Sequence, residues 1–314
     1  MPEPYQKPGH PMPEPYQKPG HPMPEPYEKP GHPMPEPYEK PGHPMPEPYQ
    51  KPGHPMPEPG CTMKLHCLGT AGYHPSEHRQ TACYFIPDEG IVLDAGSAMF
   101  RLGQMIKTET IDILLSHAHL DHVMGLTFLH DILTERPVDV VRVWGEREKL
   151  AAVRDHLLNE LIFPAPLPVQ WMEIIPGRVF SAGLHGRLLI DTRVQEHPGG
   201  SIAYRLRWPA AERKLVYATD TTGDLSEESI AWMEDADLLM HECSFRDSEE
   251  KWAIQTGHSW PSKVATLARE ADVRRLLLIH INPKEQGPDP IGLDKVRSIY
   301  GDAMIAWDGM TVDL

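Results

Sequence analysis

Cysteine is scarce: four in 314 residues, at positions 61, 67, 83 and 243, with no Cys-x-x-Cys pair. Such irregular spacing excludes a disulfide framework and a paired-cysteine zinc knuckle, and the four read as ordinary buried or free thiols. No apolar run approaches the roughly 20 residues of a membrane-spanning helix, and no basic-then-apolar segment opens the chain. The expectation is a soluble cytoplasmic protein with no membrane partner. Basic residues are outnumbered, 30 Lys and Arg against 45 Asp and Glu, for a formal net charge of −15. Five lysines and eight glutamates fall within residues 1–59, so −12 remains on the rest. That sign disfavours broad attachment to nucleic acid, although a local basic groove or bound cations can still hold a phosphate.

What is present is unevenly distributed. Residues 1–59 are five copies of an 11-residue unit, Met-Pro-Glu-Pro-Tyr-Gln/Glu-Lys-Pro-Gly-His-Pro, and a truncated sixth. Four prolines per unit remove amide donors and fix φ, and one tyrosine and one methionine per unit cannot build a core, so disorder is expected. The copies differ only at Gln6, Gln17 and Gln50 against Glu28 and Glu39, as recent tandem duplication would leave them. Rival readings are a Pro-rich ligand for a groove-type domain and a weak metal scavenger through His10, His21, His32, His43 and His54. The working polypeptide is expected to start at Met63. Residues 63–314 suit one large α/β domain.

Within that domain, short apolar or β-branched segments alternate with helical periodicity. Strands are predicted at 63–69, 81–86 and 90–96, a short helix at 98–106, a buried strand at 111–115, and a helix face on Val123, Leu126, Leu129 and Leu133. A strand at 138–144, a helix over 146–161 and strands at 170–175, 188–195, 202–207 and 214–218 follow. A helix at 226–233, a strand at 236–240, a helix at 264–271 with Ser259 and Pro261 near its start, and a strand at 276–279 complete the pattern.

Chemistry concentrates in Ser116-His117-Ala118-His119-Leu120-Asp121-His122, directly after Ile111-Asp112-Ile113-Leu114-Leu115. It reads as a metal-binding loop at a strand end. Alternate side chains of an extended segment point the same way, so His117 and His119 can share one cation while Asp121 and His122 turn toward a second. Histidines serving only as caps would repel one another if protonated at this density. His197, Asp220, His241-Glu242, His258 and His280 each follow an apolar segment or open a loop. Each alone is weak, since a lone histidine at a strand end is more often structural; together with the loop they point to one site. His66, His74, His78, His130, His156 and His185 are not expected to ligate metal, His130 and His156 reading as solvated helix-face residues and His74 and His78 as loop residues at most bordering the pocket.

The chain resembles the metallo-β-lactamase superfamily through His117-Ala118-His119-Leu120-Asp121-His122, His197 in His-Pro-Gly-Gly-Ser, Asp220 in Ala-Thr-Asp-Thr and His280 in Leu-Ile-His-Ile. Leu68-Gly69-Thr70-Ala71-Gly72, Leu93-Asp94-Ala95-Gly96, His241-Glu242-Cys243 and Gly257-His258-Ser259 resemble its ribonuclease Z and cyclic-phosphate phosphodiesterase branch. The resemblance implies a four-layer αββα sandwich of two similar halves with a dinuclear site at the sheet edge. One zinc would be held by His117, His119 and His197, the other by Asp121, His122 and His280, with Asp220 bridging; manganese suits the same donors. Asp94 would either orient a ligand histidine or form a structural turn. His258 would donate the leaving group's proton or, alternatively, cap the helix near Ser259; Glu242 would orient it or be structural, as would His241. Asp121 would also steer the attacking water, which two cations can ionise near pH 7.

The reaction expected is hydrolysis of a phosphodiester, at RNA 3′ ends or in a small cyclic phosphate. No Gly/Pro- and Lys-rich arm lies between Asp121 and His197, and the acidic body favours a small substrate, whereas Gly257-His258-Ser259 and His241-Glu242 favour RNA. A lactonase or thioesterase of the same superfamily is the alternative, and a non-catalytic metal-binding scaffold a second. A homodimer is compatible with the sequence.

Overall fold

The computed structural model describes residues 63–314 except Gln286. The 1–59 repeat and Cys61 lie outside the described residues. Two seven-stranded sheets form the framework. The first holds β1 (Lys64–Gly69), β2 (Cys83–Ile86), β3 (Ile91–Leu93), β4 (Thr110–Leu114), β5 (Val140–Glu146), β6 (Gln170–Ile174) and, at the edge beside β1, the last strand β14 (Met310–Asp313). The second runs in chain order through β7 (Phe180–Ala182), β8 (Leu188–Gln195), β9 (Ser201–Trp208), β10 (Arg213–Ala218), β11 (Leu238–Glu242), β12 (Leu276–Ile279) and β13 (Ala303–Ile305). Each sheet begins with antiparallel pairs and ends with parallel ones, from β3 to β6 and from β10 to β13. The two halves are therefore alike, as the resemblance implied.

Strand alternation builds the layers. Tyr84, Leu93 and Leu114 of the first sheet meet Ile190, Tyr204, Tyr217 and Met240 of the second in the central core. Their sequence neighbours Phe85, Val92 and Ile113 face outward onto Met99, Leu126 and Leu129. Val216, Leu239 and Leu278 likewise pack outward against Met233, Val264 and Leu267. Both faces of each sheet are covered, which is why the parallel strands read as continuous apolar runs. Sheet on sheet with helices outside is the αββα arrangement.

Two predicted helices differ. Residues 98–106 form two 3₁₀ turns, Ser97–Arg101 and Gly103–Met105, with Leu102 between them. The helix expected over 146–161 stops early: α-helix spans Arg147–Ala152, a π turn spans Val153–Leu157, and then the Asn159 side chain accepts from Leu161 N while its carbonyl accepts from Ile162 N and Phe163 N. That local turn competes with helix propagation, and Pro164, Pro166 and Pro168 follow. Cys67, Cys83 and Cys243 are buried free thiols, as expected.

Candidate metal centre

Every polar residue that ends a parallel strand arrives at one edge. Asp94 follows β3, residues 117–122 follow β4, and Asp220, Glu242 and His280 end or follow β10, β11 and β12. The sheets are tied together here by Ile202 N donating to Ser116 O (3.0 Å), Tyr204 Oη to Leu115 O (2.6 Å) and Tyr217 Oη to Asp94 Oδ2 (2.6 Å). Tyr73, Asp94, Asp220 and His280 all have positive φ, 63°, 56°, 49° and 54°. Left-handed backbone at non-glycine residues is strained, and here it turns the chain abruptly at the strand ends.

Two groups of donors result, with a third set overlapping both. His117, His119, His197 and Asp220 bring ligand atoms within 4.8 Å of one another, as do Asp121, His122 and His280, and as do Asp220, His258 and His280. Asp220 belongs to both halves: its Oδ2 lies 3.7 Å from His117 Nε2 and 3.5 Å from His197 Nε2, and its Oδ1 lies 3.2 Å from both His122 Nε2 and His280 Nε2. Asp121 Oδ2 is 3.3 Å from His122 Nε2 and 3.4 Å from His280 Nε2.

The remaining ring nitrogens are anchored. His122 Nδ1 donates to Asp94 Oδ2 (2.8 Å), so Asp94 orients a histidine rather than merely forming a turn; the same carboxylate accepts from Ser116 N and Oγ. His197 Nδ1 donates to Gly257 O (2.9 Å). His280 Nδ1 meets Ser244 Oγ (2.9 Å) and His117 Nδ1 meets Ser116 Oγ (2.9 Å). Glycine is required at two supports. A Cβ on Gly72 would sit 2.2 Å from the His280 ring, and Gly257, at φ 78°, would place one 2.4 Å from Pro198. Sequence reasoning missed the supporting hydroxyls of Ser116, Ser244 and Tyr217, and Tyr73, whose N–H donates to Asp121 Oδ2 (2.7 Å) from the loop carrying His74 and His78.

The donors fit a divalent metal cation. Among the described residues His117 Nε2 is buried without a hydrogen-bond partner, 3.7 Å from Asp220 Oδ2. Burial, then His122, pushes the His117 pKa well below the ordinary imidazole value, and burial lowers His119 and His197 as well. Neutral imidazole is the ligating form. Burial opposes the charge on Asp220, but His280, His122 and His117 hold its carboxyl well below the usual range; Asp121 is held down similarly by His122 and His280. His122 runs the other way: burial disfavours its charge, yet Asp220, Asp121 and Asp94 raise it well above the ordinary value. It is a proton site that a cation would take over.

Beside the second group stands His258, its ring stacked on His280 at 5.4 Å and edge-on to His197 at 5.1 Å. Its Nδ1 donates to Glu242 Oε1 at 2.9 Å. Glu242 is fully buried and fully satisfied, also accepting from Thr221 N, Ser244 N and Ser244 Oγ. The helix Pro261–Glu270 has Trp260 at its N-cap and no side-chain cap, so His258 is not spent as one. The seven other described histidines, His241 among them, belong to none of these groups; His130 is half-buried against Phe163, with an unpartnered Nε2, rather than solvated as expected.

A family described as a beta-lactamase superfamily domain matches residues 89–281. A ribonuclease Z of Haloferax volcanii is 40% identical over 312 residues, covering 81% of this chain and 95% of that protein. The chain belongs to the metallo-β-lactamase superfamily, in its ribonuclease Z branch. A ribonuclease Z of Gemmatimonas aurantiaca is 26% identical over 301 residues, 79% of this chain and 94% of the relative. The crystal structure of human tRNase Z, short form, shares the superfamily fold at TM-score 0.64 and 21% identity, over 80% of this chain and 99% of that one. The match from 89 to 281 contains every donor of the metal centre and His258, but not Gly72 or Tyr73.

Proposed function

We propose that this chain is a dinuclear-metal phosphodiesterase acting on RNA 3′ ends. Asp220, one oxygen toward each histidine group, carries the reading: a single buried carboxylate shared between two donor sets is what a pair of neighbouring cations needs. His117, His119 and His197 with Asp220 would hold one zinc, and Asp121, His122 and His280 with Asp220 the other. Bound there, the cations would supply an ionised water and neutralise charge on the phosphoryl oxygens. Asp121, its carboxylate fixed by the Tyr73 N–H, would orient the attacking water. His258, charged and aligned by Glu242, would protonate the departing alkoxide.

The branch relatives carry the name ribonuclease Z, which favours RNA over a small cyclic phosphate. Zinc or manganese reconstitution followed by parallel assays on RNA with a 3′ trailer, a cyclic nucleotide, bis-p-nitrophenyl phosphate and a lactone tests the reading. Trimming of the RNA, lost with two metal equivalents in Asp220→Asn, is expected. Cleavage of the lactone alone would replace it with the carboxyl-ester reading, and cleavage of none with a metal-binding scaffold.

A further inference from the structure

Tyr73 leaves its side chain in solvent, 77% exposed, although its own N–H is bonded to the metal-centre carboxylate of Asp121 at 2.7 Å. An aromatic ring contributes to folding by being buried, so a tyrosine held outward adds little to the stability of the domain. Leu120, directly before Asp121 in the chain, is 66% exposed. Single exposed apolar residues are ordinary on a protein surface, but these two come from separate segments and flank the same carboxylate.

The segment that carries the ring is pinned on both sides. Ala71 bridges to Thr81 and to Ile281, Gly72 N donates to Ile281 O (3.1 Å), and Gly72 lies so close to the His280 ring that no Cβ fits between them. His74 N donates to Gly72 O (2.7 Å), and the His74 ring meets the Tyr73 ring edge-on at 5.1 Å. These contacts and the bond to Asp121 hold Tyr73 at a φ of 63°, which a non-glycine residue adopts only under constraint. An exposed ring on a fixed backbone costs little further ordering when a flat partner settles on it.

Every nucleobase has a π face, and stacking on an aromatic ring is the sequence-tolerant way to hold one. We propose that Tyr73 is the platform for a nucleobase of the RNA beside the scissile phosphate, an assignment that rests on the phosphodiesterase activity proposed for this chain. The same chemistry selects which base. In an in-line displacement the entering and departing oxygens stand on opposite sides of the phosphorus. With Asp121 orienting the water and His258 serving the departing alkoxide, the nucleotide that departs points away from Asp121 and from the Tyr73 N–H bonded to it. The base that reaches Tyr73 therefore belongs to the nucleotide that keeps the phosphate.

Kinetics of the metal-loaded full chain on two RNAs with a 3′ trailer, one intact and one abasic at that nucleotide, test this together with Tyr73→Ala and Tyr73→Phe. In the unaltered protein loss of the base should raise KM about tenfold and change kcat less. Tyr73→Ala should show the same KM for both RNAs, and Tyr73→Phe, which keeps the ring, should restore the difference. A Tyr73→Ala protein that cuts both RNAs more slowly yet keeps the difference has only a disturbed Asp121, and would overturn the proposal. In a separate readout, 5-iodouridine placed at that nucleotide should attach to Tyr73 on irradiation, as mapped by mass spectrometry; attachment only elsewhere would overturn it too. An unaltered protein that trims no RNA would instead remove the phosphodiesterase reading, and the platform with it.

Discussion

In the proposed reaction His258 would donate the proton, and the buried Glu242 carboxylate, bonded to its Nδ1, would hold the ring in place. Burial opposes charge on the ring, but Glu242 at 2.9 Å raises the His258 pKa to about 9. The direction of the pH effect follows. A raised pKa means the ring is protonated, and able to donate, throughout the neutral range; that capacity is lost as pH rises through about 9. Turnover should therefore fall on the alkaline side. Glu242→Gln removes the charge that raises the pKa, so the descending limb should move toward the ordinary imidazole value near 6.5; a pH–rate profile of the two proteins reads the displacement. His258→Ala should retain its metals, counted by elemental analysis, while turnover drops about 10²- to 10⁴-fold. Unchanged turnover would remove His258 from the reaction.

The strands place these side chains, and the strand ends are where sequence was most informative. Apolar segments followed within two residues by His, Asp or Glu marked β4, β10, β11 and β12, and their polar ends meet at one edge. The helices were read less well. Asn159 and the prolines after it ended one helix inside a run whose spacing looked helical, because a local side-chain bond outcompetes periodicity. β7, β13 and β14, of three or four residues, offer too short a window for any period to register. The hydroxyls of Ser116, Ser244 and Tyr217 were invisible for another reason: their role exists only once distant strands are adjacent.

Asp112, on β4, shows how an element is held. Its carboxylate accepts from Arg142 Nε (2.6 Å) and Nη2 (2.7 Å), Trp144 Nε1 (2.7 Å) and Gly183 N (2.8 Å), joining β4 and β5 to the chain entering β8. Asp112→Ala strands a partly buried guanidinium and two buried N–H groups, and should cost about 3–5 kcal/mol in urea unfolding. A loss under 1 kcal/mol would show that water replaces the carboxylate.

For the molecule as a whole, the domain closes at Met63, whose carbonyl accepts from Leu314 N (2.8 Å) as β14 pairs with β1. Deleting residues 1–62 should leave the urea midpoint and the RNA-trimming rate within error of the full chain. Intact-mass analysis of the native protein would show whether the repeats are retained; their presence would reject a start at Met63.

Because a single carboxylate serves both clusters of imidazoles, the two cations proposed there would not bind independently. Whatever fixes the Asp220 side chain for one occupant has already met the ordering cost for its neighbour, so uptake should be cooperative: a zinc titration ought to pass from zero to two equivalents with little singly loaded protein, and Asp220→Asn should lose both ions together rather than one.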